Sequence, residues 1–111
     1  MRSYDIVMTD DAIRDLKDLR DYISEVLLVP DTALSYIRSI REEISKLAQM
    51  PDRIKPIDSE PWHSIGIRRI LANNHYVYFR IDEEGGRVYV LNVIYDRRDQ
   101  LLQLTNMNLD Q

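Results

Sequence analysis

"GIRRILANNHYVYFRIDEEGGRVYVLNVIYDRRD", residues 66–99, decides how this chain folds. Its apolar and aromatic residues run in short β-prone stretches, interrupted by "ANN" and "DEEGG". Both interruptions are turn chemistry, because Asn and Gly tolerate positive φ at low cost. The stretch therefore predicts consecutive antiparallel strands over Ile65 to Leu71, His75 to Ile81 and Arg87 to Tyr95. It also carries arginines on each strand, in a chain whose net charge is −4.

Upstream lies "PDRIKPIDSEP", residues 51–61, whose prolines mark an ordered surface loop rather than a domain linker. Before it the periodicity is helical. Ala12, Ile13, Leu16, Leu19, Ile23, Val26 and Leu27 recur at spacings of three and four, one face of a helix of about five turns. Thr9 is a good N-cap, and Asp10 and Asp11 follow where the positive end of the helix dipole favours acids. Pro30 disfavours helix at Val29. Asp31 or Thr32 is expected to cap a second helix, with Ala33, Ile37, Ile40, Ile44 and Leu47 inward and its end near Met50. So short a connection favours an antiparallel hairpin. "YDIVM", residues 4–8, is a short strand ahead of both helices.

The fold class expected is α+β. Two N-terminal antiparallel helices pack on one face of a small twisted antiparallel sheet, in the order β-α-α-β-β-β. If the first strand joins the last three, the opposite sheet face stays partly open. Residues 1–111 form one domain, and the tail 100–111, "QLLQLTNMNLDQ", is either a short helix or a frayed end.

Composition narrows the function. The chain is 44% hydrophobic and 31% charged, an ordinary globular balance. With no cysteine, thiol nucleophiles, thiolate zinc sites and disulfides are excluded. The start has no apolar signal region and no run is long enough to cross a membrane, so a cytoplasmic protein without membrane partners is expected. A pI near 5.1 argues against nonspecific nucleic-acid binding by the whole surface. Charge is nevertheless uneven: Arg68, Arg69 and Arg80 lie between Trp62 and Ile81 with no acid among them, whereas Asp10, Asp11, Asp15, Asp18, Asp21 and Glu25 crowd the first helix.

Taken in order, "YDIVMTDDAIRDLKDLRDYI", "ISKLAQMP", "GIRRI", "HYVYFRIDEE" and "VYVLNVIYDRRD" resemble the ParE/RelE superfamily of type II toxin-antitoxin toxins, over Tyr4 to Asp99. The layout is most similar to the ParE-like, plasmid-stabilisation branch. The resemblance implies the RelE/ParE-like fold and a toxin that inhibits growth through replication or translation. It implies a cognate antitoxin that wraps and neutralises the toxin in a hetero-oligomer. The target is then DNA gyrase or, for a RelE-type ribosome-dependent mRNA interferase, ribosome-bound mRNA. If enzymatic, it is a metal-independent endoribonuclease; a further alternative is a non-toxic regulatory binding protein. RelE-type interferases are usually strongly basic, often with a tyrosine after the last arginine segment. Here no lysine follows Lys55, and Gln100, Leu101, Leu102 and Gln103 follow Asp99. The balance favours gyrase poisoning.

Cleaving RNA through its 2′-hydroxyl needs a base, cations for the phosphate and an acid for the leaving oxygen. Arg68 and Arg97 are the candidate clamps, since a guanidinium fork matches phosphate oxygens. His75 or His63 is the candidate base or acid, and Tyr95 could stack on a base or hold a proton. Each has a plainer reading. Arg68 could pair with Glu60 or Asp82, and Arg97 and Arg98 with Asp96 and Asp99, pairing being the expected fate of Arg98. Only one of Arg68 and Arg69 can face a given side of the sheet, and the resemblance equates Arg68 with the family's strand-two arginine. Trp62 reads as a residue closing a core edge, and Tyr76, Tyr78, Tyr89 and Tyr95 as sheet packing before an RNA-stacking platform. Glu83 and Glu84 fall in a turn. No cofactor is expected: two histidines make no metal set, and Gly66, Gly85 and Gly86 make no phosphate loop.

Overall fold

The computed structural model describes residues 2–109. Its elements are β1 (Asp5–Met8), α1 (Asp10–Asp21), α2 (Pro30–Ser45), α3 (Trp62–Ile65), β2 (Arg68–Ala72), β3 (His75–Asp82), β4 (Arg87–Tyr95) and α4 (Gln100–Thr105). The sheet order is β1-β4-β3-β2. β2, β3 and β4 pair antiparallel as expected, and β1 joins the edge of β4 in parallel, Asp5 opposite Arg87 and Met8 opposite Val90. The sheet is therefore antiparallel through its last three strands and mixed at one edge.

Thr9 turns the chain from β1 into α1. Its hydroxyl accepts from the Ala12 amide at 3.3 Å and donates to the Val90 carbonyl at 2.7 Å, so the N-cap is fastened to the middle of β4. Ala12, Leu16, Ile40, Ile44, Ala72, Val77, Val90 and Val93 form the core between the helix pair and the sheet. At the other end of the same face Tyr4, Leu47, Phe79 and Val88 continue it. The β2–β3 turn is a two-residue connection, Asn73 and Asn74 at φ 49 and 64, as the turn chemistry predicts. A bulge in β4 opposite Tyr78 and Phe79 leaves Leu91 as the extra residue, and Leu91 is buried against the other sheet face.

Several sequence expectations change. Ile13, Val26 and Leu27 are exposed rather than buried. For Val26 and Leu27 the reason is that α1 runs on through a π-turn, Tyr22–Val26, which shifts its phase and carries the hairpin tip past the sheet, whereas Ile13 precedes that turn and sits beside a stripe centred on Ala12 and Leu16. Neither Asp31 nor Thr32 caps α2: Pro30 sits in its first turn with Val29 as N-cap, where a missing N–H costs nothing. The strand expected from Ile65 starts at Arg68, because residues 62–65 wind into α3, closed by Gly66 at φ 90. The tail forms α4, capped by the Asp99 side chain on the Leu102 amide at 3.2 Å. With it the far sheet face is covered rather than open: Trp62, Ile67, Tyr78, Leu91, Ile94 and Leu104 make a second core there.

Candidate functional site

Arg68, Ile70 and Ala72 alternate onto the helix-covered face of β2, since Ile70 and Ala72 belong to the core beneath the helices. The Arg68 guanidinium donates to the carbonyl of Ile54 and, at 3.4 Å, to that of Asp52. It pairs with neither Glu60, which accepts from Ser64, nor Asp82, which pairs with Arg87 at 3.7 Å. His75 lies on the same face at the opposite end of the β2–β3 hairpin, roughly 14 Å away at the rise of an antiparallel strand. It is 6% exposed, between Tyr36 at 5.7 Å and Tyr95 at 5.5 Å between ring centres. The Asn73 carbonyl, 3.0 Å from Nδ1, assigns the ring proton to that nitrogen. Arg97 is exposed just past β4, and neither it nor Arg98 forms an ion pair among the described residues. Of the four predicted residues, the fold brings together His75 and Tyr95. Arg68 stands apart from them at the other end of the hairpin. His63 is on α3, its Nδ1 2.8 Å from the Ile57 carbonyl.

Arg69 faces the other way. Its guanidinium lies 3.9 Å from the centre of the Tyr76 ring and donates to the Tyr78 hydroxyl at 3.1 Å. Tyr78 donates in turn to Gln100 Oε1 at 2.7 Å, and Gln100 Nε2 donates to the carbonyls of Tyr95 at 2.9 Å and Arg98 at 3.0 Å. This chain ties β2, β3 and the start of α4 together. Burial pushes the Tyr78 hydroxyl up from its ordinary pKa of 10.0, so it stays a donor. Beside it opens a cleft of about 660 Å³ lined by Lys55, Asp58, Arg69, Tyr76, Asp96 and Gln100 among others. It holds cations, carboxylates and an aromatic face, but no histidine. Arg80 likewise stacks over Tyr89, at 4.3 Å.

A second cleft, about 810 Å³, lies under the hairpin tip between the end of α1 and the ends of β3 and β4. Asp15, Tyr36, His75, Tyr95 and Arg98 line it. Asp15 accepts from the Val93 amide at 2.8 Å and from Asn92 Nδ2 at 3.0 Å, and burial raises its pKa against the pull of those bonds. Among the described residues no group of His, Cys, Asp and Glu is placed to hold a metal ion, and no helix is long and apolar enough to cross a membrane.

A family model described as "ParE toxin of type II toxin-antitoxin system, parDE" matches residues 6–100. The chain belongs to the ParE toxin family. No curated protein sequence matches it significantly. Among solved structures this ParE-family toxin is similar to a chain of the chromosomal ParDE toxin-antitoxin system from P. aeruginosa, with TM-score 0.69 and 24% identity over 84% of this chain and 96% of that one. It is similar also to a chain of the RelBE2 toxin-antitoxin complex from Mycobacterium tuberculosis, at TM-score 0.57, 24% identity, 84% and 98% coverage. A third likeness is to a mutant of the E. coli toxin RelE in the free state, at TM-score 0.62, 11% identity, 91% and 92% coverage. These likenesses carry the α+β fold.

What the toxin's sequence hid was which arginine faces outward. Arg69 gained no weight from sequence reasoning, though the signal was present. Reading "NN" as a two-residue turn pairs Ala72 with His75 and, counting back, Arg69 with Tyr78. Asp15 is one of six acids crowding the first helix, and nothing local distinguishes it, because its partners Asn92 and Val93 come from β4.

Proposed function

We propose that this type II toxin arrests growth by binding a replication target, DNA gyrase, and that a cognate antitoxin neutralises it in a toxin–antitoxin hetero-oligomer. The observation that carries this reading is the separation of the candidate chemistry. His75 is buried with Nδ1 committed to a backbone carbonyl, Arg68 is bonded to a loop at the far end of the same face, and Arg69 lies on the opposite side of the sheet. A 2′-hydroxyl attack needs base, cation and acid around one phosphate. A binding surface needs none of that convergence. The antitoxin follows from family membership and from the complexes among the similar structures.

One observation favours mRNA cleavage on the ribosome as a second reading. The outer cleft sets Lys55 and Arg69 beside the Tyr76 ring, and cations with an aromatic face suit a phosphate backbone and a stacked base. Induction without antitoxin, followed by pulse labelling of DNA and of protein, separates the two. Early loss of DNA synthesis with gyrase trapped on cleaved DNA is expected. Early loss of translation with cut mRNA overturns the gyrase reading.

A further inference from the structure

Val26, Leu27, Leu28 and Val29 are exposed by 63, 52, 76 and 41%, consecutively, at the tip of the α1–α2 hairpin. A run of that kind on a folded surface costs solubility and returns nothing unless something covers it. Leu28 adds a second cost. It holds φ 58, the left-handed position after a helix that glycine fills without strain, and its side chain meets mainly water. The preceding π-turn, closed by the Leu27 amide on the Tyr22 carbonyl at 3.1 Å, belongs to a rare class of turn that recurs at functional sites.

This tip overhangs the larger cleft, where Tyr22, Leu27 and Tyr95 supply an apolar rim, each partly exposed. Asp15 and Asp18 stand on one wall against the single cation Arg98 on the other. We propose that the hairpin tip and this cleft form the docking surface for an amphipathic segment of the antitoxin, whose apolar side chains cover Leu27 and Leu28 and whose lysine or arginine reaches Asp15 and Asp18. The inference rests on the reading of the chain as an antitoxin-bound toxin, and adds the surface and the sign of the partner's charge. Apolar anchors with an opposed charge beside them give affinity and register together. A second copy of the chain is disfavoured, because a symmetric contact sets the acids of α1 against themselves. The target is disfavoured because it is met transiently, whereas the apolar run needs cover for as long as the toxin is held in reserve.

The test uses the toxin, residues 1–111, and the product of the gene neighbouring its own, titrated by calorimetry at low and high salt. Asp18→Lys and Leu28→Ser are compared with Glu84→Lys, which makes the same charge change in the exposed β3–β4 turn. Asp18 and Leu28 are both exposed, so thermal midpoints are expected to stay close to that of the unaltered chain. Each cleft variant should weaken binding at least tenfold, Asp18→Lys with loss of most of the salt dependence, while Glu84→Lys changes affinity less than threefold. Undiminished affinity in both cleft variants overturns the docking surface and leaves the toxin reading standing. The docking surface falls equally if both variants bind antitoxin normally but no longer arrest growth, which gives the surface to the target. Failure of the unaltered chain to bind the neighbouring product or to arrest growth overturns the toxin reading, and the docking surface with it.

Discussion

At the scale of the residue, Asp15 is the most consequential carboxylate. It is held by an amide of β4 and by Asn92, yet burial outweighs those bonds and raises its pKa above the ordinary 3.8. The folded state then binds more protons than the unfolded state between those two values, and stability falls as pH rises through that interval. Below it both states are protonated and the penalty is absent; above it both states are charged and the penalty of holding that charge in its partly buried place is complete. Asp15→Asn should remove this component. The variant keeps the size of the side chain, and its amide can donate to Asn92 Oδ1, a buried oxygen with no partner among the described residues. Urea unfolding of both proteins across an acidic pH series should show their stability difference changing through the interval and flat above it. Parallel curves would mean that Asp15 titrates like a solvated acid.

At the scale of the element, the 51–54 segment is tied to β2 by Arg68, through the carbonyls of Ile54 and Asp52. Arg68→Ala is therefore expected to lower stability by roughly 1.5–3 kcal/mol, the range for a hydrogen bond from a charged donor, rather than by the few tenths typical of a solvated strand residue. A thermal midpoint unchanged from the unaltered chain would return Arg68 to the surface. The sequence made the central elements legible because their signals are local. Short β-prone stretches over residues 75–81 and 87–95, two asparagines in one turn, and a helical stripe opened by Thr9 each need only a few neighbours to interpret. Alternation also separated Arg68 from Arg69, but not which of the two meets the helices; that depends on Ile70 and Ala72 packing inward, a tertiary fact. The same limit hid α3 and left α4 open against a frayed end. Trp62 and Leu104 are apolar residues in short segments whose burial exists only because the two segments meet over Tyr78 and Leu91. The candidate site suffered most, since His75, Arg68 and Arg97 were linked by residue type, whereas the fold groups side chains by face and strand end.

At the scale of the whole molecule, the order β1-β4-β3-β2 places the first strand beside the last. Everything between them, both long helices included, is closed into one loop by that parallel pairing and by Thr9 on the Val90 carbonyl. Contacts of such sequence separation form late and slowly, because the closure entropy precedes the reward. A chain ending at Gly86 lacks β4 and with it the partner of β1 and of β3. It should be degraded by dilute protease at a rate near that of an unfolded chain and should not arrest growth on induction. A protected core in that fragment would show that the helix pair and the β2–β3 hairpin suffice.

The parallel edge also sets a clock on synthesis. Synthesis runs from the N-terminus, so β1 is made well before β4, and until β4 has left the ribosome β1 has nothing to pair with. Strand order alone thus leaves the first strand an unpaired edge on the nascent chain, held open until the last strand arrives to cover it.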